Sequence, residues 1–567
     1  MQFPENLNEH IVSRRSWLEK VSIASMGVGL LGVATKAFGA SSSTGAPGKD
    51  HLTGIRIYNI CDFGAVGDGK TLCTAALQKA IDACNKDKGG TVVVPAGVFV
   101  IGSTELKSNV TLHICAGATL LGSDVGKNYH AADVIPLKGD ATLGDGNVGL
   151  IYATNAENIT IEGKGTIDGQ GARFRHPIDN KELPSPAGLK SHDRPYHLMF
   201  YKCKNVIVSD LFLKDCAYHS IRAIQSTRMR FEGLHIYGRV IYNNDGFHFI
   251  SCEYVHLNNC DVQSQDDACA LFGSCKYITV SNSTFSTRWS VFRFGGGRAE
   301  HITVSNCIIY EVYGCPIKMQ CGPNSHFENI VFSDIIMKDV TGPISLGLGS
   351  KWRANTDGKV VPGVIRNISF NNLLVTVVKP VPLRDTKWPS KYNPGEMFSC
   401  ITLNAFGENY LENISLNNVH IQFPGGGTKE QGAVRDVPEV AGEYYQMGIP
   451  PAYGIYARNV KGLTLQNIRL EQLEPDLRPA MVFDHVLDAA INGLSAESHT
   501  DAESALRFVN CQDILLSATR LLNKATVFLS AEGNASQNLK ITSSDVSKAG
   551  KQVILRDGAA QQEVVFS

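Results

Sequence analysis

The sequence predicts an all-β protein, a single-stranded parallel β-helix (a solenoid) with a short N-terminal helix cap. Three observations lead there. Short runs of alternating apolar and polar residues recur about every 23 to 28 residues through the centre of the chain, which is the signature of stacked identical units. The copies end in Asn, Asp or Ser, residues suited to tight corners. No repeat-long helix separates them, so leucine-rich and ankyrin units do not fit, and a propeller blade needs nearer 40 residues.

Composition agrees with this class. The 567 residues are 43% apolar, with 54 Gly and 22 Pro. That supports a large core and many turns and excludes wholesale disorder. Lys plus Arg (53) nearly cancels Asp plus Glu (54), unlike the strongly basic balance of a nucleic-acid binder. The 15 cysteines form no C-x-x-C pair, so zinc-ribbon and thioredoxin-like sites have no support. Buried thiols packing as small apolar groups are expected rather than a disulfide framework.

The elements follow in order. Ser13-Arg14-Arg15-Ser16-Trp17-Leu18 precedes a mildly apolar stretch over 21–33 and then Ala37-Phe38-Gly39-Ala40. This reads as a twin-arginine-type export signal over 1–40, too short and weakly apolar for a membrane span. Residues 41–50 are small and polar and read as a linker. The β-helix is then expected over 51–567. Residues 75–84 place Leu77, Ala80, Ile81 and Cys84 on one helical face. Gly89-Gly90 ends that helix, 91–94 form a strand, and Pro95-Ala96-Gly97 turns the chain.

The repeat proper is visible in Asn205-Val206-Ile207-Val208-Ser209-Asp210 and Tyr254-Val255-His256-Leu257-Asn258-Asn259. It continues in Tyr277-Ile278-Thr279-Val280-Ser281-Asn282, His301-Ile302-Thr303-Val304-Ser305-Asn306 and Asn329-Ile330-Val331-Phe332-Ser333-Asp334. Weaker copies lie near 229–231, 365–370, 411–416 and 463–467. The repeated Asn positions have a structural explanation, because a solenoid stacks like residues in ladders.

A second strand follows each repeat start, at 220–224, 246–250, 268–272, 291–294 and 316–319. Side chains alternate between faces. With Ile221, Phe247, Cys269, Phe292 and Ile317 inside, the outer face carries Arg222, His248, Ala270, Arg293 and Lys318. Asp245 stands just before one strand and Asp266-Asp267 just before the next. Three carboxylates on two adjacent coils repel, which raises at least one pKa. One carboxylic acid beside one carboxylate at neutral pH is what glycoside hydrolysis uses. Asn-Asp-Gly is also a good turn in its own right, so spacing alone leaves a purely structural role open.

Asn243-Asn244-Asp245-Gly246 and Ser264-Gln265-Asp266-Asp267 resemble the two acidic motifs of the polygalacturonase-type glycoside hydrolases, family 28. Ile317-Lys318 resembles the end of that family's Arg-Ile-Lys motif. Asp62-Phe63-Gly64-Ala65-Val66-Gly67-Asp68-Gly69 and Pro451-Ala452-Tyr453-Gly454-Ile455-Tyr456 extend the likeness, as in bacterial members, over most of the chain after residue 50. The resemblance implies an inverting hydrolase of a pectin-type, uronic-acid-containing oligo- or polysaccharide. It implies Asp266 as general acid, Asp245 and Asp267 as activators of the attacking water, and Lys318 as the partner of a substrate carboxylate. It implies no cofactor and no metal, and no Asp-x-Asp-x-Asp loop is visible.

Two positions depart from the pattern. The family's Gly-His-Gly motif falls near Arg288-Trp289-Ser290, without a histidine, and Pro316 replaces the motif arginine. His248 and Arg293 are the candidate substitutes. His219 and Arg222 extend the strip, and Asn244 and Trp289 join the substrate-contact set. Tyr444, Tyr445, Tyr453, Tyr456 and Trp352 are candidate sugar-stacking aromatics. Insertions at 126–149 and 174–194 are candidates for closing one end of a groove. A polysaccharide lyase and a non-catalytic glycan-binding β-helix remain the competing readings.

Overall fold

The computed structural model describes residues 56–132, 147–174, 187–189, 193–349, 363–386, 391–440 and 443–567. The predicted export signal, the linker, Trp352 and much of both insertions fall outside them.

The described chain is one continuous parallel β-helix of 39 strands. Each strand pairs in parallel with its counterpart one coil on, and the expected copies take up their predicted places. Val206 pairs with Met229, Met229 with Val255, Val255 with Ile278, and Ile278 with Ile302. These positions are buried to within 1%, so a single apolar core runs the length of the solenoid. From Arg298 onward neighbouring strands merge into long bent ones, such as Arg298–Val312 and His326–Val340. The bend falls at Asn306 and Asp334, which take left-handed φ of 53° and 57°, a conformation that Asn and Asp tolerate.

The asparagine ladders are present. Asn413 donates to Asn367, which donates to Asn329. Asn467, Asn418 and Asn372 form a second column ending on Asp334. The inner amides, Asn367, Asn418 and Asn372, each donate to one neighbour and accept from the other, as a side-chain amide's two-sided capacity allows.

The helix Thr74–Lys86 buries Ala76, Leu77, Ala80, Ile81 and Cys84 against the first coil and covers the exposed end of the core. All 15 cysteines are free thiols, and only Cys61 and Cys115 are not buried. Burial pushes several of these thiols up, as at Cys203 (to about 11) and Cys400 (to about 12). They behave as small core residues.

Candidate active site

The outer ladder is continuous. Arg222 pairs with His248, His248 with Ala270, Ala270 with Arg293, and Arg293 with Lys318. Beyond Lys318 the same ladder runs through Ser345, Thr402, Tyr456, Val482 and Arg507. The turns that feed these strands are stacked too. Ser220 N–H donates to the Asp245 carbonyl, and Gly246 N–H donates to that of Asp267. Asp245 and Asp267 therefore sit one coil apart on the same side of the solenoid, with Asp266 beside them.

Asp245 is 5% exposed and Asp267 4%, whereas Asp266 is only half-buried. His248 Nδ1 lies 2.8 Å from Asp245 Oδ2, and His219 Nε2 lies 3.6 Å from Oδ1. The two imidazoles stack at 4.5 Å and 9°, with His248 also on the Phe272 ring at 5.0 Å. Burial and the nearby His248, Arg222 and Arg194 keep His219 neutral. His219, Asp245 and His248 bring three potential ligand atoms within 4.8 Å. Parallel stacked rings are a poor chelate, since a cation in the plane of one imidazole lies well off the plane of the other.

Asp266 is anchored by backbone contacts. The Asp267 N–H donates to its Oδ1 at 2.9 Å, Asn243 Nδ2 reaches its Oδ2 at 3.3 Å, and Ser264 and Thr287 hydroxyls hold its carbonyl. Burial and then the Asp245 charge push the Asp266 carboxyl up to about 6, against Arg293 and Lys318. Burial likewise raises Asp267, opposed first by Arg293 at 3.7 Å. The trio thus holds a proton on one carboxyl through the mildly acidic range.

The predicted strip is not an open surface. Arg222 and Lys318 are fully buried, Arg222 against the strand one coil earlier and Lys318 under a segment from outside the repeats. Arg222 lies under the Tyr196 ring at 5.1 Å. Lys318 lies 4.5 Å from the Trp289 ring, and its Nζ is 2.7 Å from Glu443 Oε2. Glu443 also meets Arg293 at 3.3 Å. Burial favours the neutral acid, but Lys318 and Arg293 outweigh it and keep Glu443 ionised. The cation expected to take a substrate carboxylate is thus already paired with one from the chain itself. On the other side, Arg239 pairs with Asp385 at 2.6 Å. Arg288 reaches Glu396 at 3.3 Å and the Lys391 carbonyl at 3.0 Å.

Two predicted contact residues do other work. Asn244 is fully buried. Its Nδ2 donates to the Cys216 and Tyr218 carbonyls, and its Oδ1 accepts from the Val240 and Ile241 N–H groups. It fixes the turn that presents Asp245. Tyr453 is a core residue, packed on Phe423 at 5.6 Å with its hydroxyl on the Glu497 carbonyl. Tyr456 is also buried. Trp289 is half-buried beside Lys318 and 6.0 Å from Tyr445, a position from which it walls the site. Glu443 was not among the predicted residues. It lies in an irregular segment outside every repeat, where only the neighbouring tyrosines carried a signal.

The family profile of glycosyl hydrolases family 28 matches residues 84–383, over half of the chain. An exo-poly-α-D-galacturonosidase of Dickeya chrysanthemi is 33% identical over 261 residues, covering 43% of each chain. The chain therefore spans under half the length of that relative. A probable polygalacturonase of Vitis vinifera is 31% identical over 346 residues, covering 56% of this chain and 68% of its own. The family 28 exopolygalacturonase of Yersinia enterocolitica superposes with a TM-score of 0.56 at 20% identity, over 77% of this chain and 78% of its own. That likeness establishes the parallel β-helix. With the acidic motifs inside the matched region and the fold in common, this chain belongs to glycosyl hydrolases family 28.

Proposed function

We propose that this protein hydrolyses a glycosidic bond in a galacturonate- or rhamnogalacturonan-type pectic saccharide, with inversion. The observation that carries this reading is the half-buried Asp266 carboxyl, raised to about 6, beside the two buried aspartates Asp245 and Asp267. Asp266 donates its proton to the glycosidic oxygen. Asp245, oriented by His248, and Asp267, held by Arg293, accept a proton from the attacking water. The polygalacturonase names of its relatives support a uronic-acid substrate.

Product analysis on oligogalacturonates and rhamnogalacturonan fragments tests this. A new reducing end with configuration opposite to that of the bond cut is expected. An unsaturated, ultraviolet-absorbing end would show a lyase instead. Binding without any cleavage would show a glycan-binding protein.

The alkaline limb of the pH profile follows from Asp266. Its protonated fraction falls as pH rises through about 6, so kcat/KM is expected to drop about tenfold per pH unit beyond it. A profile flat to pH 8 would remove Asp266 from the acid role.

We also propose export through the twin-arginine route, supported by Arg14-Arg15 and the following apolar stretch. Free buried thiols suit a chain that folds before export. Changing both arginines to lysine is expected to hold the protein in the cytoplasm. Unaltered export on cell fractionation would count against this route.

A further inference from the structure

The segment between the strands Leu411–Phe423 and Ile455–Gln472 does not stand clear of the solenoid. Residues 432–440 lie along its outer face, crossing one coil after another. Arg507 donates to the Gly432 and Val434 carbonyls. Arg435 pairs with Glu532 at 2.8 Å and Glu503 at 3.0 Å. Two coils back towards the N-terminus, Arg458 donates to the Val437 and Pro438 carbonyls at 2.7 and 3.0 Å. One coil further, Asn404 donates to the Val440 carbonyl at 3.0 Å. Glu443 then reaches Lys318 and Arg293.

From Arg507 back to Arg293 the ladder runs through seven strands, six steps, or about 29 Å at the usual strand spacing. Residues 432 to 440 make eight steps, ample for the three ladder steps from Arg507 to the strand that carries Asn404, about 14 Å, and Glu443 stands at the Lys318–Arg293 end of the ladder. Arg507 on that ladder, and Arg458 two residues beyond its Tyr456, hold the segment by its carbonyls. This is how a bound chain would be gripped, and the face is thereby taken.

Asp245, Asp266 and Asp267 lie at the N-terminal edge of this cover. Lys318, which meets Glu443, is on the second strand beyond the one that Asp266 and Asp267 feed, about 10 Å along the ladder. We propose that residues 432–440 and Glu443 end the substrate groove at Lys318, so that the enzyme cuts only near the end of a saccharide chain, with the Glu443 carboxylate standing where a further uronate would bind. This rests on the hydrolytic reading above and adds its mode of action. Internal cleavage needs an uninterrupted face on both sides of the acid, and one side here is occupied by the protein. The insertions near 126–149 and 174–194 that the sequence suggested for this role lie largely outside the described residues.

The test follows polygalacturonate digestion by the full chain, recording viscosity, reducing ends and product sizes together. Release of one short product from the earliest time, with viscosity falling only in proportion to reducing ends, is expected. Rapid viscosity loss with a spread of long fragments would overturn the proposal while leaving the hydrolase reading intact. No new reducing ends from any pectic substrate would instead overturn that reading. A second measurement uses Glu443→Ala, with folding checked by thermal unfolding. Freeing Lys318 and Arg293 is expected to tighten competitive inhibition by galacturonate about tenfold. Unchanged or weaker inhibition in a folded variant would remove Glu443 from the uronate position.

Discussion

Replacing Asp266 with asparagine is expected to lower kcat about 10²–10⁴-fold, the usual worth of a positioned general acid. Substrate affinity should change little, because the amide keeps the shape of the carboxyl. The same variant is expected to be more stable than the parent above pH 6. The folded carboxyl titrates near 6 and the free one near 3.8, so between those values the folded state binds more protons. Stability therefore falls as pH rises through that window, and above it the site carries the full penalty of a half-buried charge next to Asp245. Asparagine removes that charge. The melting temperature at pH 7.5 should rise by roughly one to a few degrees, and the gain should shrink towards pH 4. Undiminished turnover by Asp266→Asn would displace the acid to another group. Lost turnover with no pH-dependent gain in stability would mean that the charge at Asp266 is better solvated than its burial indicates.

The second large effect lies away from the reacting groups. Asp476 is fully buried and Arg478 3% exposed. The Asp476 carboxylate accepts from Arg478 Nε at 2.9 Å and Nη2 at 2.8 Å, and from the backbone N–H groups of Gly427 and Arg478. Arg478 also donates to the Phe398 and Pro450 carbonyls. The pair thus ties both ends of the covering segment to the solenoid. Asp476→Ala leaves a buried guanidinium uncompensated and is expected to cost about 3–5 kcal/mol. Limited proteolysis should then cut within 424–454 before the body of the chain. Asp476→Ala combined with Arg478→Met removes both charges, and most of the lost stability should return. Equal destabilisation by the single and double changes would show that the hydrogen bonds to Phe398, Pro450 and Gly427, rather than the buried charge, carry the effect.

Much of the fold could be read from the chain alone, because its local and long-range signals coincide. Alternation marked the inward positions, and the repeat length set which residue of one coil meets which residue of the next. Pairing Arg222, His248, Arg293 and Lys318 on one ladder needed nothing more. The trio of aspartates was legible for the same reason, since stacked turns bring residues 21 to 22 positions apart in the chain onto one face.

What periodicity does not encode is what lies over that face. Lys318 and Arg222 were expected at an open surface because a strand's outward side is normally wet. Over Lys318 an irregular segment covers it, and its course has no period to follow. Glu443 meets Lys318 across 125 residues, a contact between a repeat and a non-repeating excursion. Asn244 misled for a different reason. Its motif position suggested substrate contact, but an amide at 0% exposure with four backbone partners has no capacity left for a sugar. Tyr453 lies in a segment with turn-like composition, yet its ring belongs to the core.

The backbone pairing of successive coils has one more consequence. The proposed base and acid are carried by turns whose separation is fixed by main-chain hydrogen bonds, such as Gly246 N–H to the Asp267 carbonyl at 3.0 Å. The rung spacing of about 4.8 Å thus acts as a lattice constant for the chemistry. The gap between the two groups is quantised, and it changes only when a residue moves to another rung or side. Sequence drift can then rewrite the surroundings of the trio, down to the loss of an expected histidine and arginine, without disturbing the interval between its carboxylates.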